Sequence, residues 1–357
     1  MVWCILLLAV SSCGCDSGKG RVCNDDGIDI VSLYGTWYQM GRQYGELNRD
    51  KMLDVLDYID LELAGRTERI DSATAIAERL YSASPQYLKE FFDGVGKASG
   101  ISLERVKLCN AVEYVEDCFF CSFMAVWDTF SGGKLVAGRN YDAYSFDEIG
   151  RDIIVTVFHP DDGIAVAIVG YAGELYCVNG FNERGVFIEL NNGMPSAGFD
   201  VHFDRFAGTT RLMELLMDAD SMAYAEAFFR TEKSSAAFLI GIADAQEARC
   251  YEWCADGMQR GSTDTPVGLM AMTNHYVNRE WSYAVPNDDE SWQSHTRRDN
   301  MLHLAEIHKG RIDSQTMCDI MQTPVKAGGP QHALTLYQMV YEPSSMKLYL
   351  RISGNPS

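Results

Sequence analysis

At Cys121 a helical pattern gives way to short apolar strands. The stretch CSFMAVWDTFSGGKLVAGRNYD has the form of a hairpin turning at Ser131-Gly132-Gly133. In an antiparallel hairpin the end of the second strand lies beside the start of the first, which predicts Arg139, Asn140 and Asp142 next to Cys121. A cation beside a thiol lowers its pKa and raises the thiolate fraction, and a carboxylate can hold and orient a neighbouring amine. Attack of a thiol on an acyl carbon is the chemistry such a trio can do. Its bland counterpart is a buried cysteine near a surface ion pair. Cys118, just upstream, is the rival nucleophile.

The elements that must position this trio follow from periodicity. Tyr34 to Ala98 is helical: Tyr38, Met40, Tyr44, Leu47, Met52, Val55, Leu56 and Ile59 recur at three- and four-residue steps. A helix from Leu103 to about Val115 follows. After Cys121 come strand-like runs: FMAVWDTF, KLVAGRN, DIIVTVFHP, IAVAIVGY, ELYCV and VFIEL, broken by a helical block at 208–231. AAFLIGIAD, ARCYEW and GLMAM come next, then helices near 291–309 and 313–322 and a closing hairpin, LTLYQMVYE with KLYLRI. Many antiparallel strands in two groups, with helices before and between them, predict an α+β layered sandwich. The hairpin at Cys121 is apolar at nearly every residue, so both of its faces should be covered.

Length, charge and cysteines bound the rest. The 357 residues are enough for one large domain, and 47% hydrophobic residues with nine prolines exclude disorder as the main state. Thirty basic against fifty acidic side chains leave a net charge of −20, which repels phosphate backbones and makes nucleic acid a poor partner. Residues 1–13 (MVWCILLLAVSSC) hold an apolar run too short to span a bilayer but suited to an export signal, although no Lys or Arg precedes it. Val10-Ser11-Ser12-Cys13 is similar to a bacterial lipobox, with Cys13 as the lipidated residue. Membrane contact is then expected only through that anchor, at a periplasmic or cell-surface location. Residues 14–30 read as a tether. Eleven cysteines suit an oxidising compartment, and their pairing is not legible. Neither Cys118-x-x-Cys121 nor Cys250-x-x-x-Cys254 has a His at a companion spacing, so no metal is expected.

The motifs also resemble a known family. C-[ST]-x-x-A at Cys121, a Gly-containing turn and then G-R-N-x-D are the pattern of the N-terminal-nucleophile (Ntn) hydrolases of linear amides: penicillin acyltransferases, choloylglycine hydrolases, N-acylethanolamine acid amidase and acid ceramidase. YGTWYQMGRQYGELNRD (Tyr34–Asp50) looks like the opening segment of the acyltransferase branch, and GFNERGVFIELNNG (Gly180–Gly193) resembles the N-E-x-G turn and its Leu-Asn run. MTNHY (Met272–Tyr276), Ser294-His295-Thr296-Arg297 and TLYQMVYEPSSMKLYL follow in the same order.

That resemblance implies a four-layer αββα sandwich of two antiparallel sheets. It divides the chain into a helical segment, 31–120, and a segment starting at the nucleophile, 121–357, which together form one domain. It further implies autocatalytic cleavage between Phe120 and Cys121, whose thiol then attacks the substrate while its freed α-amine acts as base. Asp142 would hold that amine and Arg139 would flank the thiol. Asn192 and Asn274 would face the substrate carbonyl, and Arg297, with Arg298 as its neighbouring rival, would brace the site. The substrate would be an N-acyl amide, with no cofactor. His275 reads as pocket lining or a structural hydrogen bond, and Trp127, Phe130, Tyr141 and Tyr144 as core or as acyl-pocket walls. Two other readings stand beside this one: a phospholipase B-like ester hydrolase, and a non-catalytic lipoprotein binding a lipid or peptide on the same scaffold.

Overall fold

The chain before Cys121 contributes both strands and helices. In the computed structural model, which describes residues 4–7, 18–63, 67–111, 120–143, 152–198, 200–261, 265–281, 283 and 292–353, it forms β1 (Cys4–Leu7), β2 (Arg21–Asp25) and β3 (Ile28–Gly35). Five helices follow: α1 (Trp37–Leu47), α2 (Arg49–Leu63), α3 (Thr67–Ser82), α4 (Gln86–Ser99) and α5 (Leu103–Cys109). A capping box starts α1: Gln39 N–H donates to Thr36 Oγ1 at 3.3 Å, and Thr36 N–H donates to Gln39 Oε1 at 2.9 Å. The helix then lies backbone to backbone on α4. A Cβ at Gly45 would sit 2.5 Å from the Val95 carbonyl oxygen, and one at Gly41 would collide with that of Phe91.

After Cys121 the expected hairpin forms as β4 (Ser122–Asp128) and β5 (Gly133–Asp142), paired antiparallel with Phe123 opposite Arg139. β6 (Ile153–Pro160), β7 (Val166–Tyr171), β8 (Asn179–Asn182) and β9 (Phe187–Asn192) make the meander. Three helices follow, α6 (Met194–Ala197), α7 (Gly208–Asp218) and α8 (Met222–Thr231), and then β10 (Phe238–Ala243), β11 (Ala248–Cys254), β12 (Gly257–Arg260) and β13 (Leu269–Met272). The chain ends with α9 (Ser294–Ile307), α10 (Ser314–Met321), β14 (Thr335–Glu342) and β15 (Lys347–Ile352).

These strands form two sheets, in the orders β1-β15-β14-β5-β4-β13 and β12-β11-β10-β9-β8-β7-β6-β3-β2. Aromatic rings join their inner faces: Phe123 stacks on Phe187 at 5.9 Å, and Tyr341 lies 4.7 Å from Phe181. Helix α1 covers β3 and β6, with Trp37 on Phe158, while α9 and α10 close the outside of the smaller sheet through Met301, Met317 and Met321. The result is the four-layer αββα sandwich. Each large apolar side chain buried in it contributes about 1.5–3 kcal/mol.

Several details depart from expectation. Residues 21–35, assigned partly to a tether and partly to a helix, are the β2–β3 hairpin. Its Asp26-Gly27 turn has both residues at positive φ, and β2 is an exposed edge strand without the alternation that would betray it. The sheets are not wholly antiparallel, because β3 runs parallel to β6. ELYCV is irregular, and the strand begins just after it, at Asn179; the short β12 had no sequence signal. Part of the apolar N-terminal run, Cys4–Leu7, pairs with β15, whereas Cys13 lies outside the described residues, as does the last part of the helix expected to reach Val115. None of the seven cysteines whose side chains are described is in a disulfide, and six of them are buried.

Candidate active site

Cys121 stands directly ahead of β4, and Phe120 N–H donates to the Asp142 carbonyl at 2.9 Å, so the hairpin ladder runs up to the Phe120–Cys121 peptide. The thiol is buried, with Arg139 Nη2 3.6 Å from its sulfur. Arg139 is itself fully buried and fixed from β9 of the larger sheet. It donates to Asn191 Oδ1 at 3.0 Å and to the Leu190 carbonyl at 2.9 Å, and it forms an ion pair with Glu189. Glu189 and Asn191 alternate on β9 and so share its inner face. Across from Glu189, a Cβ on Gly241 would meet its carboxylate at 2.6 Å and the Phe123 ring at 2.7 Å, so the approach of the two sheets here needs glycine.

The thiol does not have the lowered pKa expected from its cation. Burial pushes it up, and Arg139 opposes that shift without overcoming it. The physical reason is burial: the sulfur is sealed from water, and the charge of nearby Asp142 adds to the upward shift.

Asp142 is fully buried. Thr335 Oγ1 donates to its Oδ1 at 2.6 Å, while its Oδ2 has no hydrogen-bond partner among the described residues and lies 3.7 Å from Arg297 Nη1. Burial raises this carboxyl to about 7, against the pull of Arg297. Arg297, rather than Arg298, reaches the centre: it donates to the Cys121 carbonyl and to Ser122 Oγ, both at 2.7 Å, and to Asn274 Oδ1 at 2.7 Å. Arg298 donates to the Ala271 carbonyl instead.

Asn274 is thereby held by its oxygen, and its Nδ2 donates to the Asn192 carbonyl at 3.0 Å. The Asn192 carboxamide oxygen caps Met194 N at 2.8 Å, and its nitrogen has no partner among the described residues. Asn191, not Asn192, contacts Arg139, and it also donates to the Thr273 carbonyl. Phe120 lies between Trp292, edge-on at 4.6 Å, and His332 at 5.3 Å.

Cys121, Arg139, Asp142, Asn274 and Arg297 are thus brought together, with Asn192 adjoining through its backbone. Glu189 and Asn191 were missed, although two polar residues at alternate positions of an otherwise apolar strand are a signal of a polar inner face. Of the candidate wall aromatics, Tyr141 stacks on Tyr337 between the sheets at 4.6 Å, whereas Phe130 packs under the outer helices. Tyr144 and Cys118 lie outside the described residues.

No curated protein matches the chain significantly in sequence. Among solved structures it is similar to an N-acylethanolamine-hydrolyzing acid amidase ortholog from Caenorhabditis elegans, with TM-score 0.46 and 16% identity over 66% of this chain and 94% of that one. It is also similar to a conjugated bile acid hydrolase from Clostridium perfringens, with TM-score 0.45 and 13% identity over 66% and 90% of the two chains. The third is penicillin V acylase from Agrobacterium tumefaciens, with TM-score 0.40 and 7% identity over 66% and 84%. The sequence profile of the acyl-coenzyme A:6-aminopenicillanic acid acyl-transferase family matches residues 129–357, well over half of the chain, which therefore belongs to that family of Ntn hydrolases.

Proposed function

We propose that the chain is the precursor of a self-processing thiol amidase or acyltransferase that acts on the linear amide bond of an N-acyl substrate, with Cys121 as nucleophile. The observation that carries this reading is the surroundings of one peptide bond. The Cys121 thiol abuts Arg139, the carbonyl of Cys121 itself, one peptide further on, is gripped by Arg297, and a buried Asp142 oxygen has no hydrogen-bond partner among the described residues. A buried carboxylate oxygen with a 3.7 Å ion pair but no hydrogen bond is costly unless something is meant to bond it.

In the first step the Cys121 sulfur attacks the Phe120 carbonyl carbon, the Phe120–Cys121 C–N bond breaks, and the thiol proton passes to the departing nitrogen. The thioester left on sulfur is hydrolysed by water, giving a Phe120 carboxylate, a free thiol and a free α-amine. That amine, with an ordinary pKa of about 7.7–8.0, is then the partner of Asp142. It takes the thiol proton as the sulfur attacks a substrate carbonyl, and returns it to the leaving amine. Asn274 Nδ2 is suited to donate to the oxyanion, and losing such a donor costs about 2.7–4 kcal/mol; Asn192 adjoins it through its backbone carbonyl. Water or a second amine then takes the acyl group from sulfur. Export on residues 1–13, lipidation at Cys13 and a mature protein of two non-covalently held chains complete the proposal.

The test is direct. N-terminal sequencing of purified protein is expected to find a Cys-Ser-Phe-Met terminus, and incubation with a panel of N-acyl amides is expected to leave an acyl mass on Cys121. Cys121→Ala should stay uncut and inactive, whereas Cys121→Ser should cut slowly at most. A Cys118→Ala chain that loses both processing and activity while Cys121→Ala keeps them would overturn the assignment.

A further inference from the structure

The backbone of the segment that carries Asn274 is tied to the helix that carries Arg297 through one hydroxyl, that of Ser294. Ser294, the first residue of α9 and buried, accepts the Asn274 backbone N–H at 2.9 Å. Its oxygen also lies 2.8 Å from His275 Nδ1 and 3.0 Å from Thr273 Oγ1. The Thr273 hydroxyl is committed elsewhere, donating to the Ser294 carbonyl at 2.9 Å. His275 stacks on His295, with ring centroids 3.8 Å apart.

Counting protons assigns the roles. A serine hydroxyl offers one donor and two acceptor sites. If Nδ1 of His275 carries a proton, both acceptor sites of Ser294 are filled, by Asn274 N–H and by Nδ1–H, and its own proton goes to Thr273 Oγ1. Thr273 Oγ1 also lies 3.3 Å from Nδ1, so the Nδ1 proton is shared between the two hydroxyls, and the three contacts of the Ser294 hydroxyl named above are then all satisfied. With the proton on Ser294 directed to Nδ1 instead, one Ser294 lone pair is left empty. The Nδ1–H form therefore satisfies the buried network best. It also makes Nδ1 a donor, so that nitrogen cannot serve as a base.

The consequence lies one residue away. Asn274 has no freedom to shift its carboxamide while its backbone N–H is held by Ser294, its Oδ1 by Arg297 and its Nδ2 by the Asn192 carbonyl. Ser294 and Arg297 sit on the same first turn of α9, so backbone and side chain of Asn274 are referenced to one rigid element. We propose that Ser294, with His275 holding its hydroxyl, is a positioning residue for Asn274 as the oxyanion donor. This rests on the amidase reading given above. A donor must meet an oxygen that exists only in the transition state, so a shift of its carrier lowers kcat more than it weakens ground-state binding.

The test is a double-mutant cycle on processed enzyme, with an N-acyl amide that the wild type hydrolyses. Ser294→Ala is expected to lower kcat about 10- to 100-fold with KM within about twofold, the scale on which small misplacements of catalytic groups act. In an Asn274→Ala background the same change should cost less than about threefold, because the group it positions is gone. His275→Asn, which keeps an N–H where Nδ1 stands, should recover most of the activity that His275→Ala loses, and this pair stands in if Ser294→Ala does not fold. A variant that stays uncut enters the same cycle through its rate of cleavage at Phe120–Cys121, read by mass. Equal losses in both backgrounds, or an unchanged kcat in Ser294→Ala, would overturn the positioning role while leaving the amidase reading intact. If Asn274→Ala alone kept full kcat, the oxyanion assignment itself would fall.

Discussion

Asp142 is a carboxyl that titrates near neutrality while the peptide bond beside it is intact, and this gives the uncut chain a pH signature. Its pKa is raised from 3.8 to about 7, so the folded precursor holds a proton that the unfolded chain releases. The stability due to that proton is fully present below 3.8 and is lost as pH rises through about 7. Uncut Cys121→Ala protein should therefore melt at a higher temperature at pH 5 than at pH 7.5, and Asp142→Asn should reduce the difference. Glu252, also raised to about 7 by burial, acts with the same sign, so Glu252→Gln should remove a further part. After cleavage, the α-ammonium next to Asp142 should draw its pKa down and shrink the slope, which calorimetry of cut and uncut protein would reveal. At this scale the sequence was informative where a residue type is scarce and its neighbours are distinctive. The proximity of Cys121, Arg139 and Asp142 was legible in that way, whereas Arg297 came only with the family resemblance and with Arg298 as its rival. Asn192 was named and Asn191 missed, because adjacent residues on a strand face opposite sides and only register decides which one meets Arg139.

Helix α1 owes its place to two glycines, Gly41 and Gly45, spaced one turn apart so that both lie on the face pressed against α4. On that helix, Gly94 answers them, since a Cβ there would collide with the Tyr38 carbonyl oxygen. Small residues let the two backbones touch, and the close contact sets the height of the helical layer above β3 and β6. Gly45→Ala should cost about 1–3 kcal/mol, the usual range for overpacking a well-filled interior, and thermal melting of the uncut chain would show it. An alanine at exposed Gly100, the left-handed cap of α4, has open space around it and should cost less despite its φ of 72°. The YGTWYQMGRQYG run advertised a helix through its apolar spacing, and its glycines are explained by contact with a partner far along the chain. The β2–β3 hairpin hid for the opposite reason. Pairing on one side of β2 only, at the sheet's edge, leaves its side chains exposed, and no hydrophobic alternation records it.

On the scale of the whole molecule, the proposed cut at Phe120–Cys121 severs the chain but not the larger sheet. β3, from before the cut, lies in register along β6 from after it, from Asp29 opposite Ile154 to Gly35 opposite Pro160. The helical layer adds Trp37 and Phe91 against Phe158. Size-exclusion chromatography of processed protein should recover both pieces together, and separation without denaturant would contradict the arrangement. Before the cut, finding β6 is an intramolecular search for β3, limited only by loop closure. Afterwards it is a meeting of two molecules. The precursor should refold after heating, whereas the mature pair, once apart, should recover poorly at low concentration and show a melting temperature that depends on scan rate. A ladder bridging the proposed cut would make folding an event the protein performs once, its working lifetime set by the rate of unfolding rather than by an equilibrium it can return to.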